Sequence, residues 1–444
     1  MEGQKMLKRK AYEKLLEWKN SADKKSLMIK GARQVGKTYL VREFGKKEYS
    51  SFIEVNFIDQ KELKSIFDSD LNATTIYKRM TAAIAGIRLI PGDTLIFFDE
   101  IQNCGNARTA IKFLTEDGRF DIVTSGSLLG LTYGENGDSD AEEPESVPTG
   151  YESFMTLYPL DFEEFLWAEG YNTATIAELK NSFINTGSVD PFINSKFEEL
   201  FREYMVVGGM PEAVAKYAKN HDFNEVQDIQ EQILENYKFD ISKHAKGAEK
   251  QKVRACYEAI PKQLAKELKK FQYSTVEKGT TSKKYGGSVQ WLIDSAIVNP
   301  CYNVREPYIP LMANASDNQF KLYINDTGLL CALYGFETRR AILDNSIKGN
   351  AKGGIYENVI AGCLVNNGYK LYYYKPDDDH ELEFLIEKEG NVIPIEVKAT
   401  NNATVSLNNF IESYQPETAY KLISGNAGRS GKKVTIPHYM VMFL

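Results

Sequence analysis

Along residues 26–159, short apolar runs alternate with longer amphipathic stretches. The runs are Leu27-Met28-Ile29, Phe52-Ile53-Glu54-Val55, Leu95-Ile96-Phe97-Phe98 and Ile122-Val123-Thr124. Runs this short and continuous read as buried strands, and their alternation with helical segments predicts a parallel sheet with crossover helices. Residues 7–18 predict a short amphipathic helix ahead of them, with Leu15, Leu16 and Trp18 set among lysines and glutamates. From 160 to about 245 the pattern is mainly helical, including 161–167, 196–205 and 224–236. Short helices are expected at 253–260 and 263–270, and a third at 282–294 with Val289, Leu292 and Ile293 on one face. Strands follow at 297–304 and 320–324. After the glycine-rich joint 349–354 come a helix at 355–366 and strands at 370–374, 382–386 and 392–397. The three helices and strand pair of the middle region suit a winged helix-turn-helix.

Composition narrows this picture. At ~150 residues per domain, 444 residues predict about three domains. Hydrophobic residues at 43% and charged residues at 26% exclude wholesale disorder. There are 54 Lys plus Arg against 61 Asp plus Glu, a net −7 that argues against a uniformly basic nucleic-acid binder. The balance is uneven along the chain. Six acids fall between Glu135 and Glu145, in a stretch (134–150) that reads as a solvated insertion. Lys262, Lys266, Lys269, Lys270, Lys278, Lys283 and Lys284 instead make the middle region locally basic, a feature shared by DNA-binding faces and ordinary solvated helices. No run reaches the ~18 to 20 apolar residues that span a bilayer, so no membrane partner is expected. Five scattered cysteines without a CxxC pair fit a reducing compartment, and a cytoplasmic location is expected.

The strongest chemical signal is Gly31-Ala32-Arg33-Gln34-Val35-Gly36-Lys37-Thr38, which fits G-x-x-x-x-G-K-[ST] between a predicted strand and a predicted helix. Glycines let successive backbone N–H groups turn onto phosphate oxygens, and the helix N-terminus adds partial positive charge there. Lys37 is placed to reach the β- and γ-phosphates, and the Thr38 hydroxyl to ligate Mg²⁺. A second apolar strand ends in Asp99-Glu100, with Asp99 expected to hold the metal through water and Glu100 to act as base. The next strand ends in Ser125-Gly126-Ser127, where either serine could contact the γ-phosphate; Ser127 is carried forward as the nucleotide contact. Arg33, Arg108 and Arg119 are the candidates for an arginine finger, and the sequence does not choose among them.

A second constellation lies near the C-terminus. Glu396 and Lys398 share one face of a strand, and the turn at 387–390 sets Glu383 on the neighbouring strand beside them. Clustered carboxylates with a lysine can bind Mg²⁺ or Mn²⁺ and orient water, and Glu357 on the preceding helix could complete such a nuclease site. Asp377-Asp378-Asp379-His380 follows Pro376 and reads as a solvated turn.

Taken together, these residues resemble prokaryotic AAA+-superfamily ATPases that carry a C-terminal domain of unknown function. The resemblance rests on GARQVGKT, TLIFFDE, TSGS, YPLDFEEFL, VVGGMPEAV, IPKQLAKELKKFQYS, LYINDTGLL, IYENVIAGCLV and IPIEVKA. It implies an α/β chain in four parts: a P-loop ATPase core (1–165), a helical lid (166–245), a winged helix (246–345) and a nuclease-like α/β module of PD-(D/E)xK type (346–444). In that scheme Glu357 is the helix glutamate, Glu383 the metal-binding acid, and Glu396 with Lys398 the E-x-K pair. This chain has Leu382-Glu383-Phe384 where the family typically has an aspartate between apolar residues. The resemblance also implies ATP as the nucleotide, since no guanine-selective Asn-Lys-x-Asp is present. Sites of this type are often completed by a neighbour's arginine, which makes a homo-oligomer an expected partner. Three functional readings follow: an ATPase driving a DNA-associated activity, an ATP-gated switch that binds DNA or protein beside an inert nuclease-like module, and an ATP-licensed metal nuclease.

Overall fold

The computed structural model describes residues 7–127, 148–245, 247–399 and 404–444. Residues 134–147 of the acidic insertion therefore lie outside the described residues. The chain forms two compact units, divided between Tyr158 and Pro159.

The first unit, residues 8–158, is built on a five-stranded sheet. Its strands are β1 (Ser26–Gly31), β2 (Ser51–Asn56), β3 (Thr94–Asp99), β4 (Asp121–Ser127) and β5 (Glu152–Thr156), in the order β2-β3-β4-β1-β5. Every pairing is parallel. The four predicted strands are all present, and β3 is buried along its whole length, as a central parallel strand flanked by helices must be. The additional strand β5 is an edge strand with Phe154 exposed, so it lacks the apolar run that marked the others. Helices Lys37–Glu48, Ala73–Ala83 and Gly105–Asp117 are the crossovers. Phe57, Phe67 and Phe98 pack ring to ring at centroid separations of 5.5 to 6.0 Å, in a core that reaches Ile76, Met80, Ile111 and Leu114.

The second unit, residues 159–444, combines a run of helices with an eight-stranded mixed sheet. The strands are β6 (Val298–Val304), β7 (Ala315–Ile324), β8 (Leu371–Tyr374), β9 (Leu382–Lys388), β10 (Asn391–Val397), β11 (Ala419–Ile423), β12 (Gly428–Ser430) and β13 (Lys433–Pro437). Their order is β12-β13-β11-β10-β9-β8-β6-β7. Helix Gly349–Asn366 packs against β6, β7, β8 and β10, and from Gly354 to Leu364 it is buried on nearly all sides, Glu357 and Asn358 included.

This arrangement departs from the expected four-part division at two points. The strand pair expected as a wing, β6 and β7, is one edge of the large sheet, because β6 pairs in parallel with β8 from Cys301↔Leu371 to Val304↔Tyr374. A boundary at 345/346 would cut through a hydrogen-bonded ladder. The helices expected as a lid on the ATPase core are tied instead to later chain in their own unit. Helix Pro191–Val207 packs on helices Thr327–Tyr334 and Phe336–Leu343, and the Asp326 carboxylate accepts the Gly209 N–H at 2.5 Å while capping the first of those two helices. The expected pair of helices at 253–260 and 263–270 is one helix, Ala248–Leu264, with Pro261 inside its last turn. Lys266, Lys269 and Lys270 lie beyond its end, so they do not form a helical basic face.

Candidate functional site

At the carboxyl edge of the first sheet, β1 leads into the 31–38 loop and then into helix Lys37–Glu48. Two glycines are required by the backbone. Gly36 caps the helix at φ 91°, in the left-handed region, and a Cβ on Gly31 would lie 2.2 Å from the Leu157 carbonyl oxygen. No acidic residue occupies the helix's first turn, so its free N–H groups and positive end are not offset there. Lys37 is buried, and its ammonium donates to the Gly31 and Ala32 carbonyls at 3.1 and 2.8 Å. Burial lowers its pKa to about 8, although the charges of Glu100 and Asp99 pull the other way.

Strand register assembles the other half of the site. Because β4 lies between β1 and β3, its tip stands between the loop and the Asp99 strand. Asp99 pairs across from Asn56 on β2, and Phe98 across from Thr124 on β4. Four groups therefore converge on the Asp99 carboxylate. Its Oδ2 accepts from the Thr38 hydroxyl at 2.9 Å and from Asn56 Nδ2 at 3.0 Å, while Oδ1 accepts from Ser125 Oγ and from the Glu100 N–H at 3.1 Å. Glu100 sits at φ 55°, an uncommon backbone state for a non-glycine residue. Its carboxylate accepts from Gln102 Nε2 at 2.6 Å.

Thr38 and Glu100 thus both meet Asp99, with Lys37 close enough to feel the charges of Glu100 and Asp99. Of the two serines, Ser125 is the one whose hydroxyl meets Asp99; Ser127 pairs across from Gly31, and its side chain lies outside the described portion. Arg108 is buried in an ion pair with Glu152. Arg119 precedes β4, at the sheet edge opposite the loop, and pairs with Asp117 at 2.7 Å. Neither of these two arginines is available as a finger in this chain's own site. Two contributors were missed in the sequence. Asn56 ends an apolar strand as Asp99 does, and that position was its one available signal. Arg9 lies far away in sequence, yet donates to the Val35 carbonyl of the loop at 3.1 Å and to the Tyr158 carbonyl at 2.6 Å.

Residues 23–166 match the AAA domain family. Further along, residues 198–340 match the domain of unknown function DUF8612 and residues 352–439 match the domain of unknown function DUF4143. With the parallel sheet, the loop and the Asp99 strand, the first unit has a P-loop ATPase fold of the AAA type. Curated relatives include uncharacterized proteins of Mycobacterium bovis and Mycobacterium tuberculosis, each 29% identical over 127 residues. Those matches cover 29% of this chain and span 27% of each relative's length. Among solved structures, the Walker-type ATPase of Pyrococcus abyssi aligns over 74% of this chain and 96% of its own at 15% identity, with a TM-score of 0.44. The Aeropyrum pernix ORC1 protein in complex with DNA aligns over 74% and 91% at 12% identity, with a TM-score of 0.29. Scores this low carry no argument about this chain. Among the described residues, no helix is long and apolar enough to cross a membrane.

The C-terminal constellation also comes together, but with unexpected neighbours. Glu383 on β9 and Glu396 on β10 flank Lys398, whose ammonium lies 3.5 and 3.3 Å from their carboxylates. Glu383 also accepts the Val397 N–H at 3.0 Å, and burial raises its pKa to about 7 despite Lys398. Glu357 is buried with both oxygens engaged: Oε1 meets Lys269 at 3.0 Å, and Oε2 meets Lys321 at 3.2 Å and the Tyr323 hydroxyl at 2.9 Å. Burial alone would raise its pKa, yet the two lysines outweigh burial and hold it below the usual carboxylate range. Lys321 is fully buried and bridges onward to Glu381 at 2.6 Å. Glu357 does not fit a divalent-metal ligand, because two ammonium groups already neutralise it. Among the described residues, no group of three or more His, Cys, Asp and Glu is arranged to hold a metal. Asp377 and His380 pair with each other at 2.8 Å in an exposed turn, as expected of a solvated loop.

Proposed function

We propose that this protein binds and hydrolyses ATP with Mg²⁺ at the loop of residues 31–38. The observation that carries the reading is the 2.9 Å contact between Thr38 Oγ1 and Asp99 Oδ2, beside a buried Lys37. A hydroxyl and a carboxylate side by side are the hard oxygen donors that Mg²⁺ takes, so these residues fit the ion and would hold it. When bound, the ion supplies charge neutralisation for the phosphates. The chain's own groups do the rest. Backbone N–H groups of Ala32, Arg33, Gln34, Val35 and Gly36 cradle the phosphates, Lys37 balances their charge, and Ser125 and Asn56 fix the Asp99 carboxylate. Glu100 orients and deprotonates the attacking water, its backbone held by Asn103 donating to the Glu100 carbonyl at 3.1 Å. Lys37→Ala should abolish ATP turnover while leaving circular dichroism unchanged; undiminished turnover in that variant would sink the assignment.

For what ATP drives, the ion-paired state of Glu357 favours a nucleotide-gated binding switch over a nuclease. In this reading DNA or protein is the partner and the C-terminal module is inert. The basic face expected of a DNA partner is diminished by Lys269, committed to Glu357, and by Lys284, paired with Glu277 at 2.7 Å. Incubation with plasmid and linear DNA, ATP and Mg²⁺ or Mn²⁺ should give no cleavage. Cleavage lost in Glu396→Ala would establish the nuclease reading instead, and stimulation of ATP turnover by DNA would identify DNA as the partner.

A further inference from the structure

The short turn Ile101–Asn103, directly after the Asp99 strand, buries an amide side chain against Glu100. Gln102 is only 9% exposed. Its Nε2 donates to Glu100 Oε2 at 2.6 Å, and its Oε1 is buried without a donor. Among the described residues, Glu100 is therefore the one hydrogen-bond partner of this side chain. An amide taken from water and left half-satisfied costs stability, and an apolar side chain of the same length would fill the place without that cost. Packing does not account for a glutamine here; the Glu100 carboxylate does.

The rest of the turn is held by other contacts. Ile101 is fully buried in the core beneath the first sheet. Asn103 donates to the Glu100 carbonyl through its backbone N–H at 3.0 Å and through Nδ2 at 3.1 Å, and the Glu100 N–H is held by Asp99 Oδ1 at 3.1 Å. These contacts fix the Glu100 backbone at φ 55° but stop short of its side chain. A glutamate side chain has several rotatable bonds, so a fixed backbone by itself leaves the carboxylate many positions. Gln102 supplies the missing restraint. Beyond burial, the charge that acts most strongly on the Lys37 ammonium is that of Glu100, ahead of Asp99, so the restrained carboxylate faces the phosphate side of the site. Its other oxygen, Oε1, accepts no hydrogen bond among the described residues and stays open to water.

We propose, resting on the ATPase reading with Glu100 as base, that Gln102 is a positioning residue: it holds the Glu100 carboxylate by one oxygen so that the other meets the attacking water. Gln102 acts through Glu100 and touches neither nucleotide nor water in this role. Its contribution belongs to the chemical step and not to ATP binding. Misplacing a general base by about 1 Å can cost on the order of a hundredfold in rate, while the phosphate contacts of the loop stay as they are.

The test is steady-state ATP turnover by the full-length protein with Mg²⁺, as a cycle of Gln102→Met, Glu100→Gln and the double variant, beside ATP binding by calorimetry. Methionine keeps the length of the side chain and removes the donor. Melting curves check folding, and Gln102→Leu carries the test should Gln102→Met fail to fold. Gln102→Met should lower kcat by about tenfold to a hundredfold, with KM and ATP affinity within about twofold of the unsubstituted protein. In the Glu100→Gln background the same substitution should change kcat by less than about twofold, since the group it positions is gone. A residue that only supports the fold would slow both backgrounds alike, and that result would overturn the proposal. So would an unchanged kcat in Gln102→Met, or a faster one, which would mean that Gln102 holds Glu100 away from the water. ATP binding without turnover in the unsubstituted protein would instead refute the hydrolysis reading itself, and this proposal with it.

Discussion

Replacing Glu357 by glutamine tests whether the C-terminal cluster is a structural ion network or a metal site. The substitution keeps the shape of the side chain and removes one charge from among Lys269, Lys321 and Tyr323. Lys321 has no exposure to water and Lys269 has little, so neither ammonium can be rehydrated in place. Removing one partner of a buried pair costs about 3–5 kcal/mol, because the remaining charge is left uncompensated. Lys321 keeps Glu381 at 2.6 Å, which places the expectation at the lower end, about 3 kcal/mol. Units of about 150–250 residues shift by ~2–4 °C per kcal/mol, and because residues 159–444 form a larger unit the lower end applies, so the melting temperature should fall by ~6 °C. The assay is scanning calorimetry of the full chain in EDTA, repeated with Mn²⁺. A drop of this size, insensitive to Mn²⁺, is the expected result. A shift under about 2 °C would refute the ion-network reasoning. Mn²⁺ stabilisation of the unsubstituted protein that disappears in Glu357→Gln would make the glutamate a metal ligand.

The remaining predictions concern the nucleotide site. Lys37, with its pKa lowered to about 8 by burial, should lose its proton above that pH in the free protein, whereas bound phosphates favour the charged form. ATP affinity should therefore hold below pH 8 and weaken above it, by up to about tenfold per pH unit, with proton uptake visible in buffers of different ionisation heat; an affinity flat from pH 7 to 10 would contradict this. Asp99→Asn removes the charge on which Thr38, Asn56 and Ser125 converge, and should cut turnover by ~100-fold or more at saturating ATP while nucleotide binding persists. Arg9→Ala should weaken ATP binding by about tenfold, from the loss of charged hydrogen bonds to the Val35 and Tyr158 carbonyls worth ~1.5–3 kcal/mol, with helix content unchanged; an unaltered affinity would show that the loop holds its shape without that brace.

The nucleotide site was legible because its parts are local or carried by adjacent strands. A loop of eight residues between a strand and a helix needs no distant information, and Asp99 is announced by the apolar run that delivers it. The same logic reached Ser125 only as an alternative to Ser127, and it did not reach Asn56. Which strand tips stand beside Asp99 depends on the order β3-β4-β1, and that order is set by how the crossover helices pack. Arg9 was invisible for the same reason: its partner carbonyls are at Val35 and Tyr158, and nothing near residue 9 in the chain indicates them.

By itself, the sequence determined the strand–loop–helix of residues 26–48, the acid-tipped strand and the apolar faces of most later elements, since these follow from side-chain period and backbone chemistry. Tertiary structure alone decided how those elements were shared out. It drew β6 and β7 into the large sheet through the parallel pairing of β6 with β8, a contact between segments about 70 residues apart that local pattern does not encode. It also decided the charge state of the second constellation. Glu357, Glu383, Glu396 and Lys398 look like a metal site when read in line, but Lys269 and Lys321 arrive from other segments and neutralise Glu357. Burial raises the cost of any unpaired charge, and which opposite charge meets it is a property of packing rather than of spacing.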